Sequence, residues 1–199
     1  MNLVLKYRAS FIALLAGSLL GGWLVEARSA GTSEYDVKAA FLYDFAKFIE
    51  WPSNTFASTN APLLIGVYGK NPFHNRLASV VHGLIVDGHP VITRSVSFNQ
   101  LGNCQILFIC ASEEKNLNAI LRKLDGSSVL TVMENMDPYK SGIMINFIKE
   151  DDEVHFEIND AAAKRVRLKI SSKLLNLATR TATSRKTDKN QALLCEQFL

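Results

Sequence analysis

The sequence predicts an α/β fold: a layered domain with a mixed, mainly parallel central sheet, flanked by helices and carrying an antiparallel C-terminal hairpin. Three observations predict it. Residues 63–68, 106–110 and 129–133 are apolar at nearly every position, which is the pattern of strands buried on both faces in the middle of a parallel sheet. Helical segments fall between these runs, and strand-helix-strand alternation gives a parallel sheet with right-handed crossovers. After Ile143 the pattern becomes strict alternation, the mark of a hairpin with one packed face and one wet face.

Each element follows in order. Lys6 and Arg8 precede an apolar run from Phe11 to Val25. That run suits a secretory leader and is shorter than the roughly 20 residues a membrane-spanning helix needs. Val25-Glu26-Ala27 offers small residues at the two positions a signal peptidase reads, so residues 1–27 are expected to be a signal peptide cleaved after Ala27. The domain is expected over 28–178.

Residues 34–51 read as a helix. Ser33 is its N-cap, Glu34 and Asp36 sit favourably in the first turn, and Val37, Phe41, Phe45 and Phe48 recur at helical spacing. Pro52 ends it. Asp44 lies beside the apolar stripe, one turn from Lys47, which suits an ion pair. The strand 63–68 leads through Gly69, Lys70 and Asn71 into a helix over 72–81 with Pro72 in its first turn. Free N–H groups at such a start can hold an anion, with Lys70 assisting. The plainer reading is a strand-to-helix turn, and the stretch is not a Walker loop.

The strand 106–110 is followed by a helix over 113–124 that puts Leu117, Ile120, Leu121 and Leu124 on one face, then by the strand 129–133. Ile143, Ile145 and Phe147 alternate with Met144, Asn146 and Ile148; beyond Lys149-Glu150-Asp151-Asp152, Val154, Phe156 and Ile158 alternate with Glu153, His155 and Glu157. The acidic run reads as a wet hairpin turn that discourages edge pairing; it lacks the alternating ligands of a calcium loop. Asn159 or Asp160 caps an alanine-rich helix, and Ser171 or Ser172 caps a last one carrying Leu174, Leu175 and Leu177. Residues 179–199 read as a flexible basic tail.

The chain has 199 residues, of which 48% are hydrophobic and 21% charged, which excludes bulk disorder. Three cysteines exclude a small disulfide scaffold. Cys104 and Cys110 are expected on one strand, about 20 Å apart, too far to bond to each other. Cys195 is then the one intramolecular partner left for either, and an odd count leaves at least one thiol free or paired between chains. Cys110 reads as a small buried residue, and Cys195 as the thiol most available to another chain. The overall charge of +3 does not demand a polyanion. It averages an acidic body, 11 Lys and Arg against 16 acids over 28–163, with a basic stretch of nine against one over 164–190. That stretch could meet anionic headgroups at a membrane surface or an acidic partner, although solvated helix faces and a soluble tail explain it equally well.

No metal-ligand spacing links His74, His82, His89 and His155, and there is no Gly-x-Ser-x-Gly elbow. No cofactor is expected, and a hydrolase is disfavoured for want of a nucleophile and base.

Several stretches together resemble the YfiR family of periplasmic proteins, the YfiR/HmsC-like group. They are Val37-Lys38-Ala39-Ala40-Phe41-Leu42-Tyr43-Asp44-Phe45-Ala46-Lys47-Phe48-Ile49-Glu50-Trp51-Pro52; Ile65-Gly66-Val67-Tyr68-Gly69 with Pro72-Phe73; Cys104-Gln105-Ile106-Leu107-Phe108-Ile109; Gly142-Ile143-Met144-Ile145; Val154-His155-Phe156-Glu157-Ile158-Asn159; and Leu168-Lys169-Ile170-Ser171-Ser172-Lys173-Leu174-Leu175-Asn176-Leu177-Ala178. The resemblance implies a regulator and not an enzyme. Its members bind the periplasmic sensor region of an inner-membrane diguanylate cyclase and hold it inactive; release raises cyclic-di-GMP and favours biofilm. The contact surface is expected at the C-terminal hairpin and helix, with Ile145, Phe147, Glu157 and Leu168 as candidates. The three apolar candidates also read as ordinary core; Glu157 does not. An alternative is a periplasmic sensor of a small anionic ligand near Gly69, Lys70 and Asn71. Self-association as a homodimer stays open, and nucleic acid is disfavoured by the export signal. The chain departs from the resemblance at Asp44, where an Asn is expected. It departs again at Arg167, where the family often has the Gly that suits a left-handed helix stop. The cysteines do not reproduce the two disulfides of the family's best-known member.

Overall fold

A computed structural model describes residues 33–181; the leader, its cleavage site, Cys195 and the rest of the basic tail lie outside the described residues. Helix α1 spans Glu34–Phe48. Ser33 is its N-cap, and its N–H donates to Asp36 Oδ2 at 3.1 Å. The helix stops three residues earlier than expected. Pro52 restricts only its immediate neighbour, whereas Ile49–Glu50 is drawn into a short strand, β1, antiparallel to a later segment. Asp44 and Lys47 pair at 2.6 Å.

Strand β2 (Leu63–Tyr68) follows, then a turn through Pro72 and a six-residue helix, α2 (Arg76–Val81). The helix expected from Pro72 therefore begins four residues later, because Asn71 Oδ1 accepts the Phe73 N–H and holds a turn there. Next come two strands that the apolar runs do not announce, β3 (Ile85–Val86) and β4 (His89–Ser95). Asp87 and Gly88 join them, both with positive φ, which is the type I′ hairpin turn.

A 3-10 turn at Phe98–Asn103 leads to β5 (Ile106–Ile109); a second at Ala111–Asn116 leads to α3 (Leu117–Lys123) and β6 (Leu130–Glu134). A one-turn helix, α4 (Pro138–Ser141), precedes the hairpin β7 (Ile145–Glu150) and β8 (Glu153–Ile158). Its turn residues Asp151 and Asp152 both have positive φ. Then α5 (Asp160–Arg165), β9 (Lys169–Ile170), α6 (Ser172–Leu177) and β10 (Arg180–Thr181) complete the domain.

Eight strands form one sheet in the order β10-β8-β7-β6-β5-β2-β4-β3; β1 and β9 form a separate pair. The centre, β7-β6-β5-β2-β4, is parallel throughout. Antiparallel pairs flank it, β7 with β8 and β3 with β4. The fold class expected from the sequence is therefore the one observed.

Strands β2, β5 and β6 each serve two cores, which is why their sequences are apolar at nearly every position. Ile106 and Phe108 join the core under α1, whereas Leu107 and Ile109 join the core under α3. In the larger core Phe45 meets Phe147 and Phe156 at ring-centroid distances of 5.6 and 5.2 Å. Each fully buried Phe contributes about 1.5–3 kcal/mol by transfer from water.

Two further expectations are corrected. The hairpin has no fully wet face: Met144, Asn146 and Glu157 are buried, because β7 is an interior strand with layers on both sides. The tail does not begin at Thr179. That residue donates its N–H to the Phe156 carbonyl, and Arg180–Thr181 extends β8 in parallel register.

Candidate functional site

The parallel strands β2, β5 and β6 end on one side of the domain, and the N-terminal turn of α1 sits against those ends. Glu134, the last residue of β6, is 6% exposed and faces Lys38, which is 2% exposed. The Lys38 ammonium touches the Glu134 carboxylate and pairs with Glu34 at 2.5 Å. Tyr35 donates its hydroxyl to Glu134 at 3.2 Å, and its ring lies 4.7 Å below the Lys38 ammonium. Burial and the Glu134 charge push the Tyr35 phenol up to about 12. Just outside, Asp36 pairs with Arg76 at 3.0 Å. The sequence holds a trace of this cluster: Lys38 falls on the apolar stripe of α1, and Glu134 ends an apolar run.

The Gly69–Asn71 turn leaves β2 at the same side. Gly69 has φ +102°, and a Cβ there would stand 2.6 Å from Ser112 Oγ, so only glycine fits. The donors expected to hold an anion are engaged. Lys70 gives its N–H to Ser112 Oγ at 2.9 Å, and Phe73 gives its own to Asn71. The helix that would focus a positive end on this turn starts only at Arg76 and has six residues.

The candidate contact residues divide. Ile145, Phe147 and Leu168 are at most 1% exposed and belong to the core under α1, so in this structure they support a surface without forming it. Glu157 is 8% exposed and lies on β8 opposite Arg180, whose Nε is 3.8 Å from its carboxylate. Beside it, α6 ends in Leu177, which is 66% exposed. The Glu157–Arg180 pair thus lies at the β8–β10 margin, and the exposed Leu177 ends the helix that leads into β10.

Cys104 and Cys110 flank β5 rather than sharing it. Both are buried free thiols, one in each core. Burial pushes each up to about 12. Cys195 lies outside the described residues. No group of metal-binding side chains occurs among the described residues, and none of their helices is long and apolar enough to cross a membrane.

Arg167 stands at the end of α5 with φ 63°. Leu168 donates to the Ala163 carbonyl and Arg167 to that of Lys164. These two bonds make the helix stop that normally carries glycine at the left-handed position.

An open, mainly parallel sheet with helices on both sides, an antiparallel hairpin and a buried charge cluster at one end defines a layered α/β domain. The family comparison is specific. The model of the YfiR/HmsC-like family matches residues 35–179, and the chain belongs to that family, which is regulatory rather than catalytic. The match begins in the first turn of α1 and ends one residue before β10, so it covers both cores.

Proposed function

We propose that this chain is a periplasmic regulator that binds the sensor region of an inner-membrane diguanylate cyclase and holds it inactive, lowering cyclic-di-GMP and restraining biofilm formation. The observation that carries the reading is the family match over 35–179. The leader with its Lys6 and Arg8 and an apolar run supports export. On this reading residues 1–27 are removed and the domain acts on the outer side of the inner membrane.

The contact is assigned to the β8–β10 margin of the sheet and the end of α6, centred on Glu157 and Leu177. Glu157 is held by Arg180, and Leu177 is a large apolar side chain left in water. A few such anchors carry most of the energy of an interface. Ile145, Phe147 and Leu168 fix the backbone beneath it. The test is co-purification of the exported protein with the periplasmic region of a membrane cyclase, comparing wild type with Glu157→Lys. Capture by the wild type and loss in the variant supports the assignment. Equal capture by both removes the site, and no capture by either removes the proposal.

A further inference from the structure

A groove of about 450 Å³ opens at the amino ends of β5 and β6, at the opposite end of the strands from the Lys38 cluster. Its walls include Thr55, Asn103, Gln105, Ser127 and Arg167, and none of the residues lining it is acidic. The wall is rich in donors. Gln105 is 7% exposed, and its Oε1 is fixed by the Leu64 N–H at 2.8 Å. That bond sets the amide orientation and leaves the two N–H donors on Nε2 without a partner among the described residues. The Thr55 hydroxyl is likewise unpartnered and buried. Arg167 forms no ion pair among the described residues, so a guanidinium with five donors stands at the rim uncompensated.

A groove with no acidic side chain, whose one formal charge is a guanidinium and whose Gln105 amide offers two unengaged N–H donors, recognises an anion with several acceptor oxygens. The neighbouring thiol does not oppose this. Cys104 also lines the groove, and burial keeps it neutral. The backbone agrees with a retained arginine: position 167 is left-handed, where glycine would sit without strain, so the side chain is held there at a cost.

We propose that this groove binds a small oxyanion, a phosphate or a carboxylate, gripped by the Arg167 guanidinium and the Gln105 amide with Thr55, Ser127 and Asn103 around it. The site lies away from the β8–β10 margin, so it stands or falls independently of the cyclase reading.

The experiment is thermal unfolding of the mature protein in rising sodium phosphate, sodium succinate and sodium chloride at matched ionic strength. At least one of phosphate and succinate is expected to raise Tm saturably where chloride does not, and the responding anion identifies the class. Arg167→Gly is the decisive variant, because it relieves backbone strain and must fold. Its starting Tm is expected to be higher, while its apparent affinity for the anion falls about tenfold or more, as befits loss of a charge-assisted donor. Ser127→Ala is expected to weaken binding by a smaller factor. No saturable response to either anion in the wild type overturns the site, as does a response that persists undiminished in Arg167→Gly.

Discussion

Lys38, buried in the first turns of α1, puts its ammonium against the carboxylate of Glu134, 96 residues further along the chain at the end of β6. Glu34, on the same helix face, takes the second side of the ammonium. This cluster ties the longest helix among the described residues to the central sheet at a point where both partners are buried.

Removing one member of such a pair strands the other. Lys38→Met is expected to lower stability by about 3–5 kcal/mol, because Glu134 is left buried and uncompensated. Replacing both, with Lys38→Met and Glu134→Met together, is expected to recover most of that loss. Urea unfolding of the two variants and the wild type measures it, and a double variant no better than the single one would refute the coupling.

Arg167→Gly is expected to stabilise the domain by about 1 kcal/mol, since a left-handed backbone costs a residue with a Cβ about that much more than glycine. Denaturant midpoints with unchanged slope report it. A loss of stability would mean that the arginine side chain contributes more than its backbone costs.

Glu157→Lys is expected to leave the fold intact while abolishing capture of a cyclase sensor region. The Glu157–Arg180 pair is long, at 3.8 Å, and Arg180 is largely exposed, so loss of the pair itself costs no more than about 1 kcal/mol; a lysine at this buried position beside Arg180 adds a further cost, expected to lower Tm without unfolding the domain. Circular dichroism, a melting curve and co-purification on one preparation separate the two effects. A collapsed melting curve would mean that Glu157 is structural.

The thiols and Tyr35 set the alkaline limit. Cys104 and Cys110 are raised from 9.0 to about 12, and Tyr35 from 10.0 to about 12. Each keeps its proton in the folded state over a range where the unfolded chain gives it up. Their contribution is fully present below pH 9 and is lost as pH rises from about 9 towards 12. Unfolding free energy is therefore expected to fall across that window. At pH 8 neither buried thiol should react with a disulfide reagent in the native protein, because the thiolate fraction is about one in ten thousand. Fast labelling at Cys104 or Cys110, located by peptide mapping, would contradict the burial.

Much of the fold is legible in the sequence because the central strands are apolar on both faces and α1 carries a complete stripe. The hairpin β3–β4 is not, although Asp87-Gly88 marks its turn, because β3 has only two residues and β4 buries only Val91, so neither shows an apolar run. Glu157 is read as wet from its place in the alternation, yet the structure buries it. Alternation records which face a residue takes and not how much lies beyond that face, and here Arg180 continues the sheet past β8. The donor-lined groove brings Thr55, Gln105, Ser127 and Arg167 together from four separate stretches, and no spacing in the chain records that.

What the sequence by itself determined is the class of fold, the order of its main elements, the family and the left-handed stop at Arg167. The fold class and the order of elements rest on local preference and on periodicity, which act over a few residues; the family and the stop at Arg167 rest on the resemblance of whole stretches. What only the tertiary structure decided is where α1 ends, which charges are buried, and which polar groups share a groove. Those depend on contacts such as Ile49 with Ile170 and Lys38 with Glu134. Their free energy arises when distant segments exclude water together, so no local stretch of sequence contains it.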